Sequence, residues 1–99
     1  MIYDFTIIIP VFNEKGNLLK LEEVLLEYFR TSSLKTCAVF VDDGSTDGGT
    51  EIIKEITARN PDLFHLIFFK NSGKGAALKA GFDIVKSPIV GYMDADLQT

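Results

Sequence analysis

Ninety-nine residues, 46% of them apolar and 24% charged, describe a single soluble globular domain with enough material for a core. The net charge of −4 and the scattered lysines exclude the basic stripe that a nucleic-acid partner requires. Cys37 is the single cysteine, so an intrachain disulfide is excluded and a reducing compartment fits. Its place in the run Cys37-Ala38-Val39-Phe40-Val41 predicts a buried structural thiol.

The chain opens Met1-Ile2-Tyr3-Asp4 without a basic leader, and the apolar run Phe5 to Ile9 is too short for a signal core. No stretch approaches the ~18–20 apolar residues needed to cross a bilayer. A cytoplasmic protein is expected, with membrane segments beyond Thr99 left open as a route to the cytoplasmic face of a membrane.

The first predicted strand runs from Phe5 to Val11. A helix follows, with Leu18, Leu21, Leu25 and Phe29 on one stripe and Val24 and Leu26 widening it. The second strand spans Cys37 to Val41. Its loop leads into a helix that starts at Thr46 or Asp47, either a credible N-cap, and ends at Asn60-Pro61. Ile52, Ile53 and Ile56 form that helix's apolar face. The third strand is Phe64 to Phe69. A third helix opens at Gly73 to Gly75, turns Ala77, Ala80, Gly81, Ile84 and Val85 inward, and stops before Ser87-Pro88. The fourth strand is Ile89 to Met93.

All four strand runs are nearly continuous in apolar residues, which predicts burial on both faces of a parallel sheet. The order β-α-β-α-β-α-β points to an α/β, Rossmann-like fold with right-handed crossovers. Only six residues follow the fourth strand, so an unfinished sheet edge is expected, completed by further chain or by another molecule through self-association.

Ligands of open parallel sheets bind beyond the carboxyl ends of the strands. The unusual polar residues fall at those four ends: Pro10-Val11-Phe12-Asn13-Glu14, Asp42-Asp43-Gly44-Ser45-Thr46-Asp47-Gly48, Asn71-Ser72-Gly73-Lys74-Gly75, and Asp94-Ala95-Asp96-Leu97-Gln98. The opposite ends are plain connections. One such loop is weak evidence, whereas four on one edge form a site.

Asp94 and Asp96 lie two apart, so extended geometry would lean both carboxylates to one side. They read either as a solvated turn or as ligands that share a cation. Oxygen-only donors favour Mg²⁺ or Mn²⁺, and Gln98 adds an amide oxygen. In the second loop Ser45 and Asp47 are placed to cap the next helix, and Asp42 or Asp43 could accept from a base or ribose. The calcium-loop frame is absent there. The third loop is neither a P-loop, since Gly75 follows Lys74 and position 69 is Phe, nor a dinucleotide fingerprint, since position 78 is Leu. Lys74 reads equally as a phosphate neighbour at a helix N-terminus or as a solvated lysine. Phe12 could stack on a base or plug the core, and His65 reads as structural or surface.

The segments Ile-Ile-Pro-Val-Phe-Asn-Glu (8–14), Val-Asp-Asp-Gly-Ser-Thr-Asp-Gly (41–48), Gly-Lys-Gly-Ala-Ala-Leu-Lys-Ala-Gly (73–81) and Met-Asp-Ala-Asp-Leu-Gln (93–98) strongly resemble family 2 glycosyltransferases. The match is closest to the branch that loads sugars onto dolichyl and undecaprenyl phosphates, and it covers essentially the whole chain. The resemblance implies the nucleotide-sugar-binding N-terminal part of a GT-A fold, residues 1–99, without the acceptor-binding half.

By family pattern Pro10, Phe12 and Glu14 would line the nucleoside pocket. Asp43 would contact base or ribose, with Asp42 supporting the loop, while Asp94 would lie near ribose and metal. Asp96 would be the chief metal ligand and Gln98 would join it. Phe12 departs from the commoner tyrosine, and Lys79 stands where many relatives have Asn.

The implied reaction is inverting transfer from a UDP- or GDP-sugar to a polyprenyl phosphate or a glycan, with Mg²⁺ or Mn²⁺ and a catalytic base outside this chain, which alone would be inactive. Two competing classes are a sugar-phosphate nucleotidyltransferase, which usually has a Gly-rich first loop, and a non-catalytic nucleotide- or metal-binding α/β domain. Receiver domains of the latter kind carry their acidic pair after strand one, where this chain has Pro-Val-Phe-Asn-Glu.

Overall fold

A computed structural model of the chain describes residues 3–68, 73–85 and 87–96. Seven elements alternate along it: β1 (Phe5–Val11), α1 (Lys15–Thr31), β2 (Thr36–Asp42), α2 (Gly49–Arg59), β3 (Phe64–Phe68), α3 (Lys74–Ile84) and β4 (Ile89–Tyr92). The four strands form one parallel sheet in the order β3-β2-β1-β4. The expected α/β class is the observed one.

Alternation along the two inner strands divides the core into two layers. Ile7, Ile9 and Val11 of β1, with Ala38 and Phe40 of β2, pack against Leu18, Leu21 and Leu25 of α1 and Ile53 and Ile56 of α2. Ile8, Val39 and Val41 face the other way, onto Ala77 of α3. This accounts for the unbroken apolar runs, because each side of these strands carries a helix. Gly81 is what lets α3 lie so close: a Cβ there would stand 2.6 Å from Cγ2 of Ile8.

The outer strands do not meet the expectation of burial on both faces. β2 is buried throughout, but Phe68 is exposed at the end of β3, as are Ile89 and Tyr92 on β4. Each outer strand has one neighbour rather than two in this sheet, and periodicity along a sequence carries no record of strand order.

Boundaries shift by about one residue. β2 extends to Thr36 and Asp42, and β4 ends at Tyr92, although the Met93 N–H still donates to the Ile8 carbonyl at 3.1 Å. Phe69 lies outside the described residues, as does the Ile84 side chain. On α1 the stripe is narrower than expected, with Val24 exposed, and Glu22 is buried instead. Glu22 accepts from Arg59 at 2.7 Å and from the Asn60 amide at 2.8 Å, which joins the middle of α1 to the C-terminal end of α2. Cys37 is buried as expected, beside the Thr6 hydroxyl at 3.5 Å, and burial pushes its thiol pKa up. His65 is half-buried on β3, edge-on to the Tyr3 ring at 6.1 Å.

Candidate functional site

The strand order reverses between β1 and β4. β2 and β3 lie to one side of β1, and the chain then crosses over α3 to place β4 on the other. Loops leaving adjacent strands diverge at such a point and leave a crevice beyond the strand ends. A cleft of about 380 Å³ lies there.

Its walls come from all four loops. Pro10 and Val11 end β1 and Phe12 and Glu14 follow it, Asp43 follows β2, Gly73 and Ala77 open α3, and Asp94, Ala95 and Asp96 follow β4. Phe12 is 45% exposed, so its ring faces the cleft and solvent and does not plug the core. Glu14 precedes α1 and accepts from the Asn17 amide at 2.9 Å.

The two members of the acidic pair at the end of β2 part company. Asp42 is buried beneath its loop: one carboxylate oxygen accepts the Ser45 N–H at 3.0 Å and the other accepts the Thr50 hydroxyl. It is not among the residues that line the cleft, where a base or ribose contact was expected of either aspartate, and its bonds hold the loop to α2. Asp43 does line it. Its backbone N–H donates to the Val11 carbonyl at 2.8 Å, and its carboxylate accepts the Gly73 N–H at 2.9 Å. Gly73 holds φ at +98°, a conformation that favours glycine. One aspartate thereby ties the ends of β1 and β2 to the start of α3.

Asp94 and Asp96 reach the same cleft by another geometry than the extended one expected. The chain leaves β4 at Tyr92 and turns at Ala95-Asp96. Ala95 is buried in the layer beneath α1 and α2, and its small side chain pins the turn down while the flanking carboxylates stay half-buried at the cleft. The Lys74 side chain and Gln98 lie outside the described residues.

The second loop also differs from the helix-capping expectation. α2 starts after Gly48, whose φ is +92°, and neither Thr46 nor Asp47 is its N-cap residue. Asp47 accepts the Gly49 N–H at 2.8 Å and, with its other oxygen, the Lys15 N–H at 2.9 Å, so it joins the starts of α2 and α1. The Ser45 hydroxyl accepts from the Asn13 N–H at 3.1 Å rather than from α2. Sequence reasoning missed these links because they cross between loops about thirty residues apart.

Four acidic side chains around one cleft repel an anion unless a cation intervenes. Asp94 and Asp96 supply hard oxygen donors, which fit Mg²⁺ or Mn²⁺. No group of three or more His, Cys, Asp or Glu able to hold a metal forms among the described residues. Two carboxylates with substrate phosphates and water are the usual way Mg²⁺ is held.

A crevice at the switch point of a parallel sheet is where open α/β folds bind their ligands, and here an acidic turn and an exposed aromatic ring edge it. The glycosyl transferase family 2 profile matches residues 6–99, and the chain belongs to that family. It is 38% identical over 93 residues to the putative glycosyltransferase CsbB of Bacillus subtilis, a match covering 94% of this chain and 28% of that protein. It is 35% identical to the undecaprenyl-phosphate 4-deoxy-4-formamido-L-arabinose transferase of Aeromonas hydrophila, across 94% of this chain and 29% of that one. For the prophage bactoprenol glucosyl transferase homolog of Escherichia coli the identity is 32%, with 94% and 30% covered.

Among solved structures, the mannosyltransferase PcManGT from Pyrobaculum calidifontis, in complex with GDP-Man and Mn²⁺, matches with a TM-score of 0.75 and 28% identity. That match covers 97% of this chain and 28% of the other. The Rossmann-like, GT-A expectation stands on this likeness. The chain spans less than a third of the length of these relatives.

Proposed function

We propose that residues 1–99 are the nucleotide-sugar-binding part of an inverting glycosyltransferase that uses a UDP- or GDP-sugar and glycosylates a polyprenyl phosphate. The carrying observation is the convergence of Phe12, Glu14, Asp43, Asp94 and Asp96 on one cleft at the switch point of the sheet. The undecaprenyl-phosphate and bactoprenol transferases among the relatives favour the lipid phosphate over a glycan.

In this reading Pro10 and Phe12 offer the base an apolar wall, with the Phe12 ring as its stacking face. Asp43 is held by Gly73 at the height of the strand ends, where it meets base or ribose hydrogen-bond donors. Asp94 and Asp96, with Gln98, hold Mg²⁺ or Mn²⁺. That ion, when bound, neutralises the charge that grows on the departing diphosphate. Lys74, first residue of α3, adds a cation next to the same phosphates, at a helix N-terminus. A lipid phosphate is already an anionic nucleophile, so these residues need only bind and orient the donor.

The remainder of a longer protein supplies the acceptor side and any base, and the 99-residue chain alone is inactive. The site lies on the cytoplasmic side of a membrane; no helix among the described residues is long and apolar enough to cross one.

Calorimetric titration of the folded chain with UDP and with GDP, each with and without Mn²⁺, tests this reading. Binding of one nucleotide that strengthens with Mn²⁺ is expected. Asp96→Asn should weaken the Mn²⁺-dependent affinity roughly tenfold or more, as expected for removing one charged partner. Negligible heats under all four conditions would overturn the proposal.

A further inference from the structure

The wall that carries Phe12 and Glu14 is fastened to the second loop by hydrogen bonds. Between those two residues stands Asn13, the one non-glycine residue with positive φ among the described residues, at +56°. Its N–H donates to the Ser45 hydroxyl at 3.1 Å. Its side-chain oxygen accepts the Thr46 N–H at 2.7 Å and the Thr46 hydroxyl at 3.4 Å. Two residues on, the Lys15 N–H donates to Asp47 at 2.9 Å. Asn13 is thus engaged in both directions, as donor and as acceptor.

This clamp has a buried root. The Ser45 N–H donates to Asp42, which is 1% exposed and holds Thr50 of α2 with its other oxygen. The series Thr50, Asp42, Ser45, Asn13 therefore runs from α2 to the rim of the cleft. Phe12 is 45% exposed, so little packing fixes its ring, and the backbone on its C-terminal side sets where it points.

We infer that Asn13 and Ser45 are positioning residues for nucleotide binding, holding the Phe12–Glu14 wall of the cleft to the second loop. The inference rests on the function proposed above. It adds residues that do not line the cleft and act through those that do. Ordering a wall before the ligand arrives lowers the cost of binding, so loosening it should appear as weaker affinity in a protein that is still folded.

Asn13→Gly tests the side-chain half of the clamp without backbone strain, because glycine accepts a positive φ. Ser45→Ala removes the hydroxyl acceptor from the opposite loop, and Ser45→Thr keeps it. Each variant is titrated with UDP and with GDP in MnCl₂ at a temperature where circular dichroism shows it folded, and its urea midpoint is measured separately.

The expected result is a Kd raised about fivefold in Asn13→Gly, the effect of losing a typical hydrogen bond, and at least about twofold in Ser45→Ala. Ser45→Thr should stay near the parent. Lowered urea midpoints with parental Kd values in both Asn13→Gly and Ser45→Ala would overturn the inference, since that is what a purely structural clamp gives. Equal weakening in Ser45→Thr and Ser45→Ala would also overturn it. Should Asn13→Gly not fold, the serine pair decides. A parent chain that binds neither nucleotide defeats the proposed function and this inference together, whereas a parent that binds with variants that match it defeats this inference alone.

Discussion

Asp47 has both carboxylate oxygens on backbone N–H groups, and its pKa lies below the ordinary 3.8 because the Lys15 N–H, first, and the Gly49 N–H hold the ionised form. The folded-state value is thus below the unfolded one. Its contribution to stability is therefore complete above the unfolded value and is lost as pH falls through the lowered folded value. Asp47→Asn keeps a single acceptor and no charge. Urea unfolding should show a lower midpoint for Asp47→Asn at neutral pH, with the two curves drawing together as pH falls below the ordinary 3.8. A gap that stays constant with pH would assign the effect to geometry alone. The neighbouring aspartates divide their labour by burial: Asp42 is enclosed by its own loop, while Asp43, one residue on, lies on the cleft.

At the scale of elements, α3 approaches the sheet closely at Gly81. A methyl at Gly81 would meet Ile8, which is fully buried and has no room to yield. Gly81→Ala should therefore cost about 1–3 kcal/mol of overpacking, reduced by up to about 1 kcal/mol of gained helix propensity. Gly75 sits in the same helix with nothing near its missing Cβ, so Gly75→Ala should stabilise by up to about 1 kcal/mol. Urea denaturation of the two variants checks the opposite signs. Because α3 also starts at the cleft, through Gly73 and Ala77, a shift of this helix is carried to the site. α1 and α2 are joined twice, by Asp47 at their starts and by Glu22, midway along α1, with Arg59 and Asn60 at the end of α2.

For the molecule as a whole, β4 is an outer strand that carries exposed Ile89 and Tyr92, with Phe82 of α3 also exposed. An apolar edge with open ladder groups is a template for strand pairing. The chain alone should therefore self-associate with rising concentration in sedimentation velocity, and Ile89→Lys should shift it toward monomer. Sedimentation that is independent of concentration and unchanged by Ile89→Lys would count against the edge as the contact.

The seven elements were legible in the sequence because apolar period is a local property: largely apolar strands of four to seven residues and stripes three or four apart need no partner to be recognised. The polar loops were legible for the same reason, and with them Phe12, Glu14, Asp43, Asp94 and Asp96 as cleft residues. Strand order, by contrast, depends on which strand pairs with which, and only the fold placed β3 and β4 at the edges and left them half open. Tertiary structure also decided that Asp42 lies under the loop, that Asp94 and Asp96 reach the cleft through a turn anchored by Ala95, and that Asn13, Ser45 and Asp47 fasten two loops together. Those are contacts between segments distant in sequence. Their hydrogen-bond partners are chosen by the geometry of the assembled sheet, which no local pattern of residues encodes.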